Sequence, residues 1–138
     1  MSQRFAVSAV LISLVVVVHQ GGAQSQREIE SRTCAAYQAA EKELNDVYDA
    51  VLARYAEDRE FVTKLKRSQR AWVAYRDAEL AALYPSKDKQ ASYGSMYETC
   101  SCDAQSQMIA QRIETLRQWL TGIEEGNVCA GSRRAAGV

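Results

Sequence analysis

The chain has 138 residues, with 17 basic and 17 acidic side chains, one proline and seven glycines. A formal net charge of zero excludes the strongly basic surface of a general nucleic-acid-binding protein. The length fits one domain with a single hydrophobic core, and the scarcity of proline and glycine favours long helices over sheets.

The first 23 residues have the pattern of a signal peptide. Arg4 precedes an apolar run from Phe5 to Val18, and Gly21 and Ala23 supply small residues where a signal peptidase cleaves. The run of 14 residues is short for a transmembrane helix, so an uncleaved anchor is the less favoured alternative. We predict cleavage after Ala23 and a periplasmic or secreted mature protein of 115 residues.

Three helices are predicted in the mature chain, because apolar side chains recur at three- and four-residue intervals. The first runs from Glu28 to about Glu57, and Asp58 caps a second that ends near Tyr84. Pro85 prevents the second helix from continuing, and the third runs from about Met96 to Thr121. We predict an all-α, up-down-up three-helix bundle with left-handed crossings.

The connections are a loop and a tail. The loop spans Pro85 to Ser95, and Ser95 with Glu98 forms a predicted capping box at the start of the third helix. The segment from Glu124 to Val138 is predicted to be an extended tail held only at Cys129. The predicted organisation is a signal peptide (1–23), a helical domain (24–123) and a C-terminal tail (124–138).

All four cysteines follow the predicted signal peptide, and they are Cys34, Cys100, Cys102 and Cys129. An even number in a small exported domain indicates disulfides. Side chains two residues apart diverge on a helix, so Cys34 is expected to pair with either Cys100 or Cys102, and Cys129 with the other. Both arrangements staple the first helix and the tail to the third helix. A thiolate metal site is the disfavoured alternative.

The sequence lacks several residue patterns that are typical of enzymes, although it does not show which carboxylates the fold brings together. Its only histidine, His19, leaves with the signal peptide, so a serine or cysteine nucleophile has no histidine base. We find no H-E-x-x-H motif, no glycine-rich phosphate loop and no metal-ligand spacing. We predict no enzymatic activity, no cofactor and no metal.

A polar network is predicted around the stretch from Leu65 to Glu79, which places an aromatic side chain among polar ones on one helical stripe. Arg76 follows Trp72 by four residues, so its guanidinium can stack on the indole. The predicted set is Asn45, Gln69, Trp72, Arg76, Asp77, Glu79 and Arg112. It either fixes the register of the helices or forms a binding face.

Four motifs in the chain resemble those of the lysozyme inhibitor LprI N-terminal domain family, which comprises small exported bacterial helical proteins. They are L-N-x-x-Y (Leu44, Asn45, Tyr48), L-x3-Q-x2-W-x2-Y-R-D-A-E (Leu65 to Glu79), G-S (Gly94, Ser95) and R-x3-L (Arg112, Leu116). The resemblance covers about Cys34 to Leu120. This chain has Leu80 where the family often has a cysteine, and Ile109 where it often has a threonine.

The resemblance implies a module that binds a lysozyme and blocks it by occlusion rather than by chemistry. The loop would enter the substrate cleft through Lys87, Lys89, Tyr93 and Ser95, with a lysine paired to catalytic carboxylates and Tyr93 stacked where a sugar ring sits. The alternative is a structural or stress-related envelope protein that binds another envelope protein and has no effect on lysozyme. Neither function requires nucleic acid or a membrane anchor after cleavage.

Overall fold

Three long helices form most of the part of the chain that the computed structural model describes, which is residues 21–136, with side chains from residue 24. In chain order the helices are α1 (Gly21–Arg54), α2 (Arg59–Leu83), the short α3 (Lys89–Tyr93) and α4 (Tyr97–Thr121). Residues 21–136 contain no strand, and one isolated β-bridge joins Ile123 and Ala135. The all-helical prediction is confirmed. The predicted signal peptide lies outside the described residues except for its last three, so its cleavage stays a prediction.

Local signals explain where α2 begins and ends. The Asp58 side chain accepts a hydrogen bond from the Phe61 amide at 2.9 Å, which satisfies one of the free amides of the first turn. Helix α2 ends at Leu83, one residue before Tyr84, because Pro85 disfavours helical geometry at the residue before it. The predicted cap and stop of this helix are confirmed.

The connection from α2 to α4 is more ordered than predicted. Asp88 caps the short helix α3 by accepting a hydrogen bond from the Ala91 amide at 2.9 Å. A single 3-10 turn over Gly94–Met96 then leads into α4, and Gly94 adopts a φ of 71° that favours glycine. The predicted capping box at Ser95 is wrong, because this turn moves the cap to Met96, whose side chain makes no capping hydrogen bond.

The buried core lies mainly between α1 and α4. Its members are Leu44, Val51, Tyr55, Leu65, Ile109, Ile113 and Leu116. Of these only Leu65 comes from α2. Helices α1 and α4 contact each other from the Cys34–Cys102 disulfide to the edge-on pair of Tyr55 and Trp119, whose ring centroids lie 5.8 Å apart. Among residues 21–136 no helix is both long and apolar enough to span a membrane.

The tail folds back onto the bundle. The Ile123 amide donates to the Arg134 carbonyl at 3.1 Å, and the Arg134 amide donates to the Tyr55 hydroxyl at 3.1 Å. Gly122 turns the chain with a φ of 78°, where an added Cβ would lie 2.7 Å from the backbone of Ala136. The prediction of an extended tail held only at Cys129 is therefore wrong, because Cys129 is an exposed free thiol and backbone hydrogen bonds hold the tail.

One disulfide joins Cys34 to Cys102 across 68 residues, so the prediction that Cys34 pairs with one member of the C-S-C doublet is confirmed. Cys100 and Cys129 are exposed free thiols, so the second predicted staple is not formed. Cys100 lines an opening beside Tyr84 at one end of the bundle, whereas the tail that carries Cys129 contacts Tyr55 near the other end. This separation keeps the two thiols from pairing.

Replacing both Cys34 and Cys102 by serine is expected to lower the free energy of unfolding by about 2–4 kcal/mol, because the disulfide closes a long loop in the unfolded chain. Urea denaturation of the oxidised proteins measures this. Cys129→Ser is the matched control and should leave the midpoint unchanged. An equal loss of stability in the control would show that Cys129 also forms a stabilising disulfide.

Candidate binding site

The ring of Trp72 has two arginines from different helices as neighbours. The Arg76 Cζ atom is 5.7 Å from the centroid of the Trp72 ring, and the Arg112 Cζ atom is 5.9 Å from it. Arg76 follows Trp72 by one helical turn on α2, whereas Arg112 comes from α4. Both guanidinium groups are within the distance at which a cation is attracted to an aromatic face. The half-buried indole therefore joins α2 to α4.

Arg76 links α2 to α1. Its Nη1 atom donates to Glu41 at 3.2 Å, and its Nε and Nη2 atoms donate to the neighbouring Asp77 at 3.0 and 2.8 Å. The side chain is only 15% exposed. Burial acts to lower the pKa of Arg76, but the hydrogen bond and charge of Asp77 outweigh it, with Tyr37 and Glu41 adding to them, so the pKa is raised. The cation is thus held in place by two carboxylates.

Tyr37 completes this part of the network. Burial, a hydrogen bond to Glu41 and the charge of that carboxylate raise the pKa of Tyr37 to about 12. The phenol therefore stays protonated and donates to Glu41 at neutral pH. Glu41 follows Tyr37 by four residues on α1, so the two side chains share one helix face.

Arg112 has a different environment from Arg76. Its Nε atom donates to the Gln69 side-chain oxygen at 2.9 Å, and its Nη2 atom donates to the Ser68 hydroxyl at 3.3 Å. Both partners are neutral, and no carboxylate pairs with Arg112 among residues 21–136. Burial lowers the pKa of Arg112. This guanidinium is a partly desolvated cation with no neutralising charge.

The structure brings together five of the seven residues predicted to form the network, namely Gln69, Trp72, Arg76, Asp77 and Arg112. The side chains of Asn45 and Glu79 are exposed and take no part in the hydrogen bonds of the network. The sequence reasoning missed Tyr37, Glu41 and Ser68. The four-residue spacing of Tyr37 and Glu41 on one face of α1 was the signal for the first two.

In the connecting loop between α2 and α4 (Pro85 to Ser95), two of the four predicted contact residues stabilise the loop itself. The Lys89 ammonium donates to the Tyr84 carbonyl, and the Tyr93 hydroxyl accepts from the Ser86 amide at 3.1 Å. The Tyr93 ring lies 5.2 Å from that of Tyr84 and 6.1 Å from that of Tyr97, by ring centroids. Lys89 and Tyr93 are therefore held within the loop.

The side chains of Lys87 and Ser95 remain exposed in this loop. The Ser95 backbone oxygen accepts from the Gln26 amide group at 3.0 Å, which ties the loop to the start of α1. Within residues 21–136 no group of three or more His, Cys, Asp or Glu side chains is placed to hold a metal ion.

The family described as lysozyme inhibitor LprI matches residues 19–116, more than two thirds of the chain. The matched segment contains the Trp72 network, the connecting loop and the disulfide. No curated protein and no solved structure matches the chain.

Arg76→Ala is expected to lower the free energy of unfolding by about 1–3 kcal/mol, because it leaves Glu41 without its cation and uncovers Trp72. Chemical denaturation followed by circular dichroism measures the change. Arg117→Ala is the control, since Arg117 pairs with Glu43 and Glu114 at the surface and its loss should destabilise the protein much less than Arg76→Ala does. A fully stable Arg76→Ala protein would contradict the structural role of the network.

Proposed function

The chain belongs to the lysozyme inhibitor LprI family, and on this premise we propose that it is an exported, non-enzymatic protein that inhibits a lysozyme by covering its substrate cleft. The observation that carries the proposal is the ordered connecting loop between α2 and α4.

The proposed scaffold is the up-down-up bundle. Contacts run in the same order along α1 and α4, which supports a parallel arrangement of these two helices. Contacts between α1 and α2 run in the opposite order, since Tyr55 meets Phe61 and Glu41 meets Arg76, which supports an antiparallel arrangement.

The loop is preorganised for insertion. Asp88 caps α3, Lys89 holds the Tyr84 carbonyl, and the rings of Tyr84 and Tyr93 pack edge to face. A loop that is ordered before binding loses little conformational entropy when it docks, so more of its contact energy appears as affinity. Because the side chains of Lys89 and Tyr93 make these internal contacts, we assign the contact with the enzyme to another residue of the loop.

Lys87 is the proposed contact with the enzyme. Lysozymes cleave a glycosidic bond between two carboxyl groups, so a cation placed there both pairs with a carboxylate and excludes the sugar. Lys87 is exposed, directly before the capped start of α3. Leu83 and Met96, which are 55% and 43% exposed, flank the loop in sequence and offer apolar contact around the charge.

The disulfide supports this end of the bundle. It joins α1 to α4 at Cys102, five residues after the start of α4 at Tyr97 and close to the loop. The bond restrains the base from which the loop extends, so reduction is expected to weaken inhibition by loosening that base.

A second candidate function is a structural or stress-related envelope protein that binds another envelope protein. Tyr75, which is 57% exposed on α2 beside Arg76, favours it, because large exposed aromatic side chains commonly anchor protein–protein contacts. The two functions are separable, since an inhibitor acts on a purified lysozyme with no other component.

The oxidised mature chain is expected to inhibit a susceptible lysozyme stoichiometrically in a cell-wall lysis assay run over a panel of purified lysozymes. Lys87→Glu should weaken inhibition at least tenfold, because it brings a negative charge to the catalytic carboxylates. Lys66→Glu, at an exposed position on α2, is the control of equal charge and should inhibit as the unaltered protein does.

Two results would count against the proposal. Full inhibition by the Lys87→Glu protein would remove the loop from the mechanism. If no lysozyme in the panel is inhibited, the envelope-protein function is favoured. A cross-linking experiment with the Tyr75→Ala variant as control then tests that function.

A further inference from the structure

A groove between α2 and α4 lies away from the connecting loop, beneath the returning tail. Its volume is about 320 Å³. Phe61, Leu116 and Trp119 form an apolar floor, and Lys64, Arg112 and Arg133 supply cations around it. No carboxylate is among the residues that line it. The groove thus combines an apolar floor with three positively charged side chains and no negatively charged one.

Arg112 contributes a cation that the protein does not neutralise. Its hydrogen bonds go to the side chains of Gln69 and Ser68, which carry no charge. Removing an ion from water is costly unless an opposite charge compensates it. Arg76, which also lies near Trp72, has Glu41 and Asp77 as neutralising carboxylates, whereas Arg112 lines the groove without such a partner.

Arg133 contributes a second incompletely satisfied guanidinium from the tail. Its Nε atom is buried and has no hydrogen-bond partner among the described residues. Its Cζ atom lies 5.3 Å from the centroid of the Trp119 ring, over the apolar floor. Arg133 thus brings a second guanidinium to a groove whose lining residues include no carboxylate.

We propose that this groove binds a small amphipathic carboxylate, with its head between Arg112 and Arg133 and its apolar body on Phe61 and Trp119. Guanidinium groups match the geometry of carboxylates, and the floor accepts an alkyl or aromatic body. The volume is at the lower end of the range of ligand pockets, which indicates a small ligand.

The surroundings place the head near the arginines rather than near Lys64. Asp58 and Glu60 line an adjoining hollow together with Lys64, whereas the lining of the groove around the arginines includes no carboxylate. The inference does not depend on lysozyme inhibition, because it uses a different surface from the connecting loop.

The test is a titration of the oxidised mature chain with decanoate, below its micelle threshold, followed by calorimetry and by tryptophan fluorescence. We expect saturable binding of one decanoate per chain, and binding of decyltrimethylammonium at least tenfold weaker. The ammonium compound has the same alkyl length and the opposite charge. Equal binding of the two compounds, or no saturable binding of decanoate, would overturn the proposal.

Arg133→Gln and Arg112→Gln should each raise the dissociation constant for decanoate at least fivefold. Lys66→Gln, on an exposed part of α2 outside the groove, should leave it unchanged. Arg112 also holds α2 to α4, so the folding of its variant is checked by thermal melting. If the Arg112 variant unfolds, the binding measurement on Arg133→Gln alone tests the proposal. An unaltered dissociation constant in Arg133→Gln would overturn the proposal.

Discussion

The contact between α1 and α4 is the constraint on which the other elements depend. Five of the seven buried core residues lie on these two helices. The disulfide joins the helices near one end, and the ring of Tyr55, which directly follows α1, packs against Trp119 near the other. Each remaining element is attached to this pair. The tail reaches it through the hydroxyl of Tyr55, and the connecting loop reaches it through the hydrogen bond from Gln26.

Helix α2 is held to that pair mainly by polar and aromatic contacts. It contributes one buried residue, Leu65, to the core. Arg76 connects it to α1, Gln69 connects it to α4, and the ring of Trp72 lies near both Arg76 and Arg112. The network is therefore an attachment for a helix that has little buried apolar area of its own. This explains why polar residues occupy a stripe where leucine or alanine is usual.

The two arginines of the network have different consequences because their partners differ. Arg76 is neutralised within the protein and acts between helices. Arg112 meets only neutral partners and faces a groove whose other guanidinium, from Arg133, is also incompletely satisfied. The connecting loop belongs to a separate surface, where internal hydrogen bonds leave Lys87 exposed. The groove and the loop are thus separate surfaces, and a different kind of partner is proposed for each.

The sequence by itself determined the three long helices, the cap at Asp58, the stop before Pro85 and the pairing of Cys34 with the C-S-C doublet. The helices, the cap and the stop depend on the period of apolar residues and on neighbours a few positions apart, which a sequence displays directly. The disulfide prediction came from elimination, because Cys100 and Cys102 diverge on a helix and do not pair with each other. Only the tertiary structure decided that the partner is Cys102, that the tail returns to Tyr55 and that Arg112 and Arg133 share a groove. Those outcomes depend on contacts between residues far apart in the chain, and on geometry that local spacing does not specify.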